Sequence, residues 1–180
     1  GHGRRCEPEL LDIKDLIDTG ALGIVQHVEA NFSHDSLAGI KAGDWRASKA
    51  ESPSGAMTAM GVHLTDSFVQ MMGPIARVHA MTATGVTEWE SGDLVAAHVK
   101  FASGATGSFS SLLATPFFMR YQVFGTGGWA EARDTVRPEV TGITHFSKRF
   151  KDAEVEIGEV ETIDTVRANI ESFAVAASGG

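Results

Sequence analysis

The feature that most constrains this chain is a change of hydrophobic period at Gly73-Pro74. Before it, from Ser54 to Met72, apolar residues recur at spacings of three and four. Met57, Met60/Gly61, Leu64, Phe68 and Met71 form one stripe of a helix, and Gly73 followed by Pro74 stops it. After it the pattern has a period of two and keeps it. Val78, Ala80 and Thr82 alternate within Ala76–Thr84, and Val95, Ala97, Val99 and Phe101 within Leu94–Ala102. Ala105–Ala114, Met119–Phe124, Trp129–Arg133, Thr141–Phe146 and Val155–Val160 read as further strands. Ser91-Gly92-Asp93, Ser103-Gly104 and Gly125-Thr126-Gly127-Gly128 supply the turns. Strands joined by short turns pair antiparallel.

Ahead of the break, Pro8 to Asp18 reads as a helix with Leu10, Ile13 and Leu16/Ile17 on one side and Gly20 past its end. Leu22-Gly23 turns the chain into a strand over Ile24–Ser33, with Ile24, Val28, Ala30 and Phe32 on the buried face and His27 solvated on the other. Residues 34–53 show no period. At the far end, Asp164 to Ala177 is helical, with Val166, Ile170, Phe173 and Ala174 on one stripe. The order predicts an α+β fold: a largely antiparallel open sheet with helices packed on one face.

Composition excludes several function classes. The 180 residues carry a net charge of −8, so a phosphate backbone is an unfavourable partner and no nucleic-acid role is expected. No apolar run reaches about 18 residues, so no membrane span is expected. Cys6 is the single cysteine, which rules out an internal disulfide and fits a reducing, cytoplasmic location. Cys6 and His2 are too few ligands for a metal site, and the seven His include no H-E-x-x-H pair, so no metal is expected. Gly125 to Ala130 has G-x-G-x-x-A spacing. No helical stripe follows, however, and Pro138 comes early, so the stretch reads as a hairpin turn.

His63 is the candidate for acid–base chemistry, because imidazole exchanges protons near neutral pH. His63, Asp66, Ser67 and Gln70 fall on a face away from the apolar stripe, and Asp66 follows His63 by one turn. Spacing allows a second reading, a satisfied core histidine with Asp66 as its partner. Trp45-Arg46, in the aperiodic segment, pairs a broad apolar ring with a charged fork suited to carboxylate, phosphate or a ring face. It reads equally as a Trp plugging the core edge beside a surface Arg.

Several stretches, in this order, resemble one family. They are Gly1-His2-Gly3-Arg4-Arg5 with Pro8 and the Leu10–Asp18 helix, Gly20-Ala21-Leu22-Gly23, Trp45-Arg46, the run from Ser54 to Asp66, and Phe124-Gly125-Thr126-Gly127-Gly128. The family is the C-terminal domain of the glucose–fructose oxidoreductase / inositol dehydrogenase / rhizopine catabolism (Gfo/Idh/MocA) oxidoreductases. The resemblance implies a two-domain enzyme whose N-terminal Rossmann domain binds NAD or NADP. The α+β domain covers a small-molecule hydroxy substrate, such as a sugar or cyclic polyol, and its sheet often makes a homodimer or homotetramer. Residues 1–6 then correspond to the tail of a missing Rossmann domain and 7–180 to the substrate and oligomerisation domain. The chain alone is expected to be inactive and to bind a dinucleotide poorly.

His63 matches the family's catalytic His. The family usually carries an Asp four residues earlier, where this chain has Ala59, so either another group, Asp66 or Thr58, substitutes or the member takes an unusual substrate or is weakly active. Trp45-Arg46 matches a pair near nicotinamide and substrate. Lys41, Trp45, Arg46, Thr58 and Asp66 are the expected substrate-shaping residues. The alternative is a catalytically degenerate member that serves assembly or ligand binding.

Overall fold

The computed structural model describes residues 2–134 and 142–179. A 3-10 turn over Gly3–Cys6 leads into α1 (Pro8–Asp18), β1 (Val25–Ser33), a π-helical turn (Met57–Gly61) and α2 (Val62–Met72). Seven strands follow: β2 (Ile75–Ala83), β3 (Leu94–Phe101), β4 (Thr106–Leu112), β5 (Phe118–Gly125), β6 (Gly128–Asp134), β7 (Ile143–Phe150) and β8 (Glu156–Glu161). α3 (Thr165–Ala177) ends the chain. The elements agree with the sequence reading, but Ile24, expected on the buried face of the first strand, precedes β1 and is 76% exposed, and β2 is exposed on both faces, Val78 included. The expected strand from Thr141 starts at Ile143, and residues 135–141 lie outside the described residues, as do Gly1 and Gly180.

The eight strands form one sheet in the order β2-β3-β4-β1-β5-β6-β7-β8. β1 inserts between β4 and β5, parallel to the former and antiparallel to the latter. Local alternation cannot reveal this placement, because the partners of β1 lie about 80 residues away on β4 (Glu29 with Ser108) and further still on β5 (Glu29 with Gln122). The remaining pairings are antiparallel.

The inner face of the central strands is the core. Val28, Ala30, Val95, Ala97, Val99, Phe109, Tyr121 and Val123 point into it. α2 lays Leu64, Phe68 and Met71 across this face, and the Phe68 ring meets Phe101 and Phe109 at 6.0 Å each. Gly73, at φ 77°, takes the left-handed conformation that ends α2. α3 differs: its stripe of Val166, Ile170 and Phe173 is exposed. Among the described residues no helix is long and apolar enough to cross a membrane.

Two glycine motifs turn out to grip one another. Gly127 N–H donates to Leu22 O (2.8 Å) and Thr126 N–H to Ile24 O (3.0 Å). A Cβ on Gly125 would lie 2.0 Å from Leu22 O, so this backbone approach requires glycine. The 125–128 stretch is the β5–β6 hairpin turn, as its sequence suggested, packed on the turn after α1.

Candidate active site at the head of helix α2

The helix that carries His63 opens irregularly. Met57–Gly61 is wound as a π-helix, a form found mostly as single turns and frequently at functional sites. Met60 and Leu64 are buried on the core side. His63, half-buried, lies beside the end of β1, with its ring 6.4 Å from Phe32 and 5.7 Å from His2 in an edge contact. Its Nδ1 is buried without a hydrogen-bond partner. Burial, then the positive charges of Arg4 and His2, hold the imidazole below its ordinary pKa, while Asp66 acts weakly in the other direction. The ring is therefore neutral at neutral pH and able to accept a proton.

Asp66 is not the partner of His63. Its carboxylate takes a two-pronged contact from Arg5, Nε at 2.8 Å and Nη2 at 2.7 Å, and lies 3.7 Å from His2 Nδ1. The Arg5 hydrogen bond is the main cause that holds the Asp66 carboxyl below the usual carboxylate range. Ser67 also departs from the helical-wheel reading. It is fully buried, donates to His63 O (3.0 Å) and stands 3.3 Å from the Tyr121 hydroxyl, which donates to it. The Ser67 hydroxyl satisfies Tyr121 inside the core, so the stripe there is wider than its apolar residues indicate.

The other expected site residues belong to the loop over residues 34–53. Lys41 is exposed. Arg46 stacks on the Trp45 ring, its Cζ 4.3 Å from the centroid, and Trp45 keeps 47% of its surface exposed. Thr58 is exposed, with its hydroxyl donating to Pro53 O. The loop is pinned from beneath by a residue the sequence reading passed over. Trp89, fully enclosed, donates from Nε1 to Ile40 O (2.9 Å), while Ser91 donates from Oγ to Arg46 O and from N to Ala47 O. Trp45-Arg46 thus stands outward on a fixed base, and the core plug is Trp89 instead. His27, expected to be solvated, is half-buried with Nδ1 2.7 Å from Thr106 Oγ1.

The entry segment brings further groups that sequence reasoning missed. Arg4 bonds Glu7 through Nη1 (2.8 and 3.2 Å) and lies 4.0 Å over the Phe32 ring. The i,i+3 spacing of Arg4 and Glu7 was the available signal. His2 had none, because its neighbours His63 and Asp66 are some sixty residues on. Among the described residues no group of three or more His, Cys, Asp or Glu is placed to hold a metal.

A family profile for the GFO/IDH/MocA C-terminal domain matches residues 10–131. A search of curated proteins finds no match. Solved structures share the fold. A protein from Desulfitobacterium hafniense assigned as an NADPH-dependent oxidoreductase superposes with a TM-score of 0.86 at 28% identity, covering 100% of this chain and 55% of that one. Levoglucosan dehydrogenase in complex with NADH and levoglucosan gives 0.69 at 22% identity, over 83% of this chain and 42% of that one. A 3-ketoreductase from Actinomadura kijaniata, complexed with NADP and TDP-benzene, gives 0.73 at 18% identity, over 92% and 50%. This chain spans about half the length of these structures. The profile covers more than half of the chain, and the eight-stranded sheet, its helices and the full-length superposition agree with it: the chain belongs to the GFO/IDH/MocA family, as a C-terminal domain.

Proposed function

We propose that this chain is the substrate-facing half of an NAD(P)-dependent oxidoreductase acting on a sugar, cyclic polyol or related hydroxy compound, with His63 as its acid/base. The observation that carries the reading is the state of His63. Its imidazole is only half-buried and is held neutral by burial and nearby positive charge. Such a group takes the proton from a substrate hydroxyl as the carbon is oxidised and returns it in the reverse direction. Arg5, Asp66 and His2 tie the entry segment to α2 beside that ring. In this reading Lys41, Trp45, Arg46 and Thr58 contact the substrate from the loop side.

The relatives' complexes with NADH and NADP support a nicotinamide cofactor. The described residues of this chain do not supply its cradle. The one glycine-rich turn with matching spacing uses its amides on Leu22 and Ile24 carbonyls and continues as a strand. We therefore assign cofactor binding to an N-terminal Rossmann domain outside this chain, with residues 1–6 as its tail. In protein that includes that domain, His63→Ala is expected to lower turnover by about 10²–10⁴ while circular dichroism stays unchanged. Unchanged turnover removes His63 from the mechanism.

The second reading is a catalytically degenerate member. Ala59 favours it: the residue packs half-buried against the core inside the π turn, and the nearest helix carboxylate, Asp66, is committed to Arg5. Ala59→Asp distinguishes the two, since a gain of turnover supports decay.

Self-association through the outer face of the sheet completes the proposal. His79, His98, Ser108, Glu29, Gln122, Glu131 and Ser147 line up across seven strands in direct register. The small side chains in the middle leave a shallow trough of about 410 Å³. A second copy fits such an open, flat face by sheet-on-sheet packing. Light scattering should report a dimer or tetramer; a monomer at high concentration would remove this part.

A further inference from the structure

We propose that the cavity between the Arg4–Glu9 entry segment and the β8–α3 junction binds a small organic cation, a primary ammonium group on a partly apolar body. The cavity measures about 340 Å³, within the range of small-molecule sites. Phe32, Phe117, Met119 and Ile163 give it apolar walls. Its polar lining is lopsided. Glu7, Glu9, Asp134 and Asp164 line it with a single guanidinium, Arg4.

That guanidinium is already engaged. It bonds Glu7 and is stacked on Phe32. Glu9 is 1% exposed and Asp134 3%, so water does not solvate them. Glu9 Oε2 and both Asp134 carboxylate oxygens are buried without a hydrogen-bond partner of normal geometry among the described residues. Among the described residues Asp134 has the Thr144 hydroxyl, Arg4 and His145 near it, and the Arg4 charge is shared with Glu7, to which it is bonded, and with Glu9. A buried carboxylate without a partner is costly, and a donor-rich cation entering from solvent relieves that cost.

The chemistry selects among ligands. An anion meets four carboxylates against one guanidinium. A chelated metal lacks a qualifying cluster of ligands among the described residues. An ammonium group supplies three donors to carboxylates that do not converge tightly, and the apolar walls accept its carbon body. The positive end of α3, which would repel a cation, is capped by Asp164, whose Oδ1 accepts from Arg167 N–H. The site lies across Phe32 from His63 and does not depend on the redox reading, because the test reads binding.

The test is calorimetric titration, at pH 8, of protein that includes the N-terminal domain, with n-butylammonium chloride. Burial lifts the Glu9 carboxyl to about 7, so it is ionised there. The titration is repeated with 1-butanol, its neutral counterpart, and with potassium chloride. Saturable heat with n-butylammonium alone is expected. Glu9→Gln and Asp134→Asn should each weaken it roughly tenfold or more, whereas Glu88→Gln, on the exposed β2–β3 connection, should leave it unchanged. Urea unfolding checks each variant, and if one fails to fold the other decides. Equal binding of 1-butanol, no saturation with n-butylammonium, or wild-type affinity in the folded carboxylate variants overturns the proposal.

Discussion

Helices α2 and α3 are written in the same code and end in opposite conditions. Both have an apolar stripe at helical spacing. α2 buries Leu64, Phe68 and Met71 against the sheet; α3 leaves Ile170 61% and Phe173 73% exposed. α2 is also held by long-range polar contacts, Asp66 to Arg5 and Tyr121 to Ser67, whereas the polar contacts of α3 are local, the Asp164 cap and the Arg167–Glu171 pair. Amphipathic spacing thus states that a face wants cover. It does not state whether this stretch of chain provides it.

The sharpest way to break this comparison is to truncate one aromatic on each helix. Phe68→Ala removes a ring enclosed by Phe101 and Phe109, and should cost about 3–5 kcal/mol in urea unfolding. A cost below about 1 kcal/mol would mean that α2 is not packed as described. An intermediate effect is expected at the cavity below the start of α3. Burial first, then the charge of Glu7, lifts the Glu9 carboxyl from 4.5 to about 7. The folded chain holds that proton more tightly than the unfolded chain. The stability it contributes is complete below about pH 4.5 and is lost as pH rises to about 7, a change of up to about 3 kcal/mol. Glu9→Gln should remove this part of the pH slope and leave the variant more stable than wild type at pH 8. An unaltered slope would place the carboxyl in water. The smallest effect belongs to α3: Phe173→Ser should change stability by no more than about 0.5 kcal/mol. A large loss would show that the stripe is covered.

The elements themselves were legible. Pro8 at a helix start, Gly73-Pro74 at a helix stop and unbroken alternation afterwards are local signals, and local backbone preferences produce them. The site was legible only in part. His63 could be singled out because a titratable ring stands in an apolar helix, but Asp66 was assigned to it through i,i+3 proximity, and Arg5 from the entry segment captures that carboxylate instead. The alternative reading of Trp45 as a core plug was met by another tryptophan, Trp89, whose role depends on a carbonyl 49 residues away.

What the amino-acid order determined by itself is the kind and sequence of elements and the α+β class, which rest on residues within a turn or a strand of one another, and the family, which rests on several such short stretches in a fixed order. Tertiary structure alone decided that β1 lies between β4 and β5, that His2 and Arg4 border His63, and that Glu9 and Asp134 face one cavity. These are contacts between residues from about sixty to over a hundred positions apart. Periodicity describes the faces of one element and carries no information about which distant face will meet it.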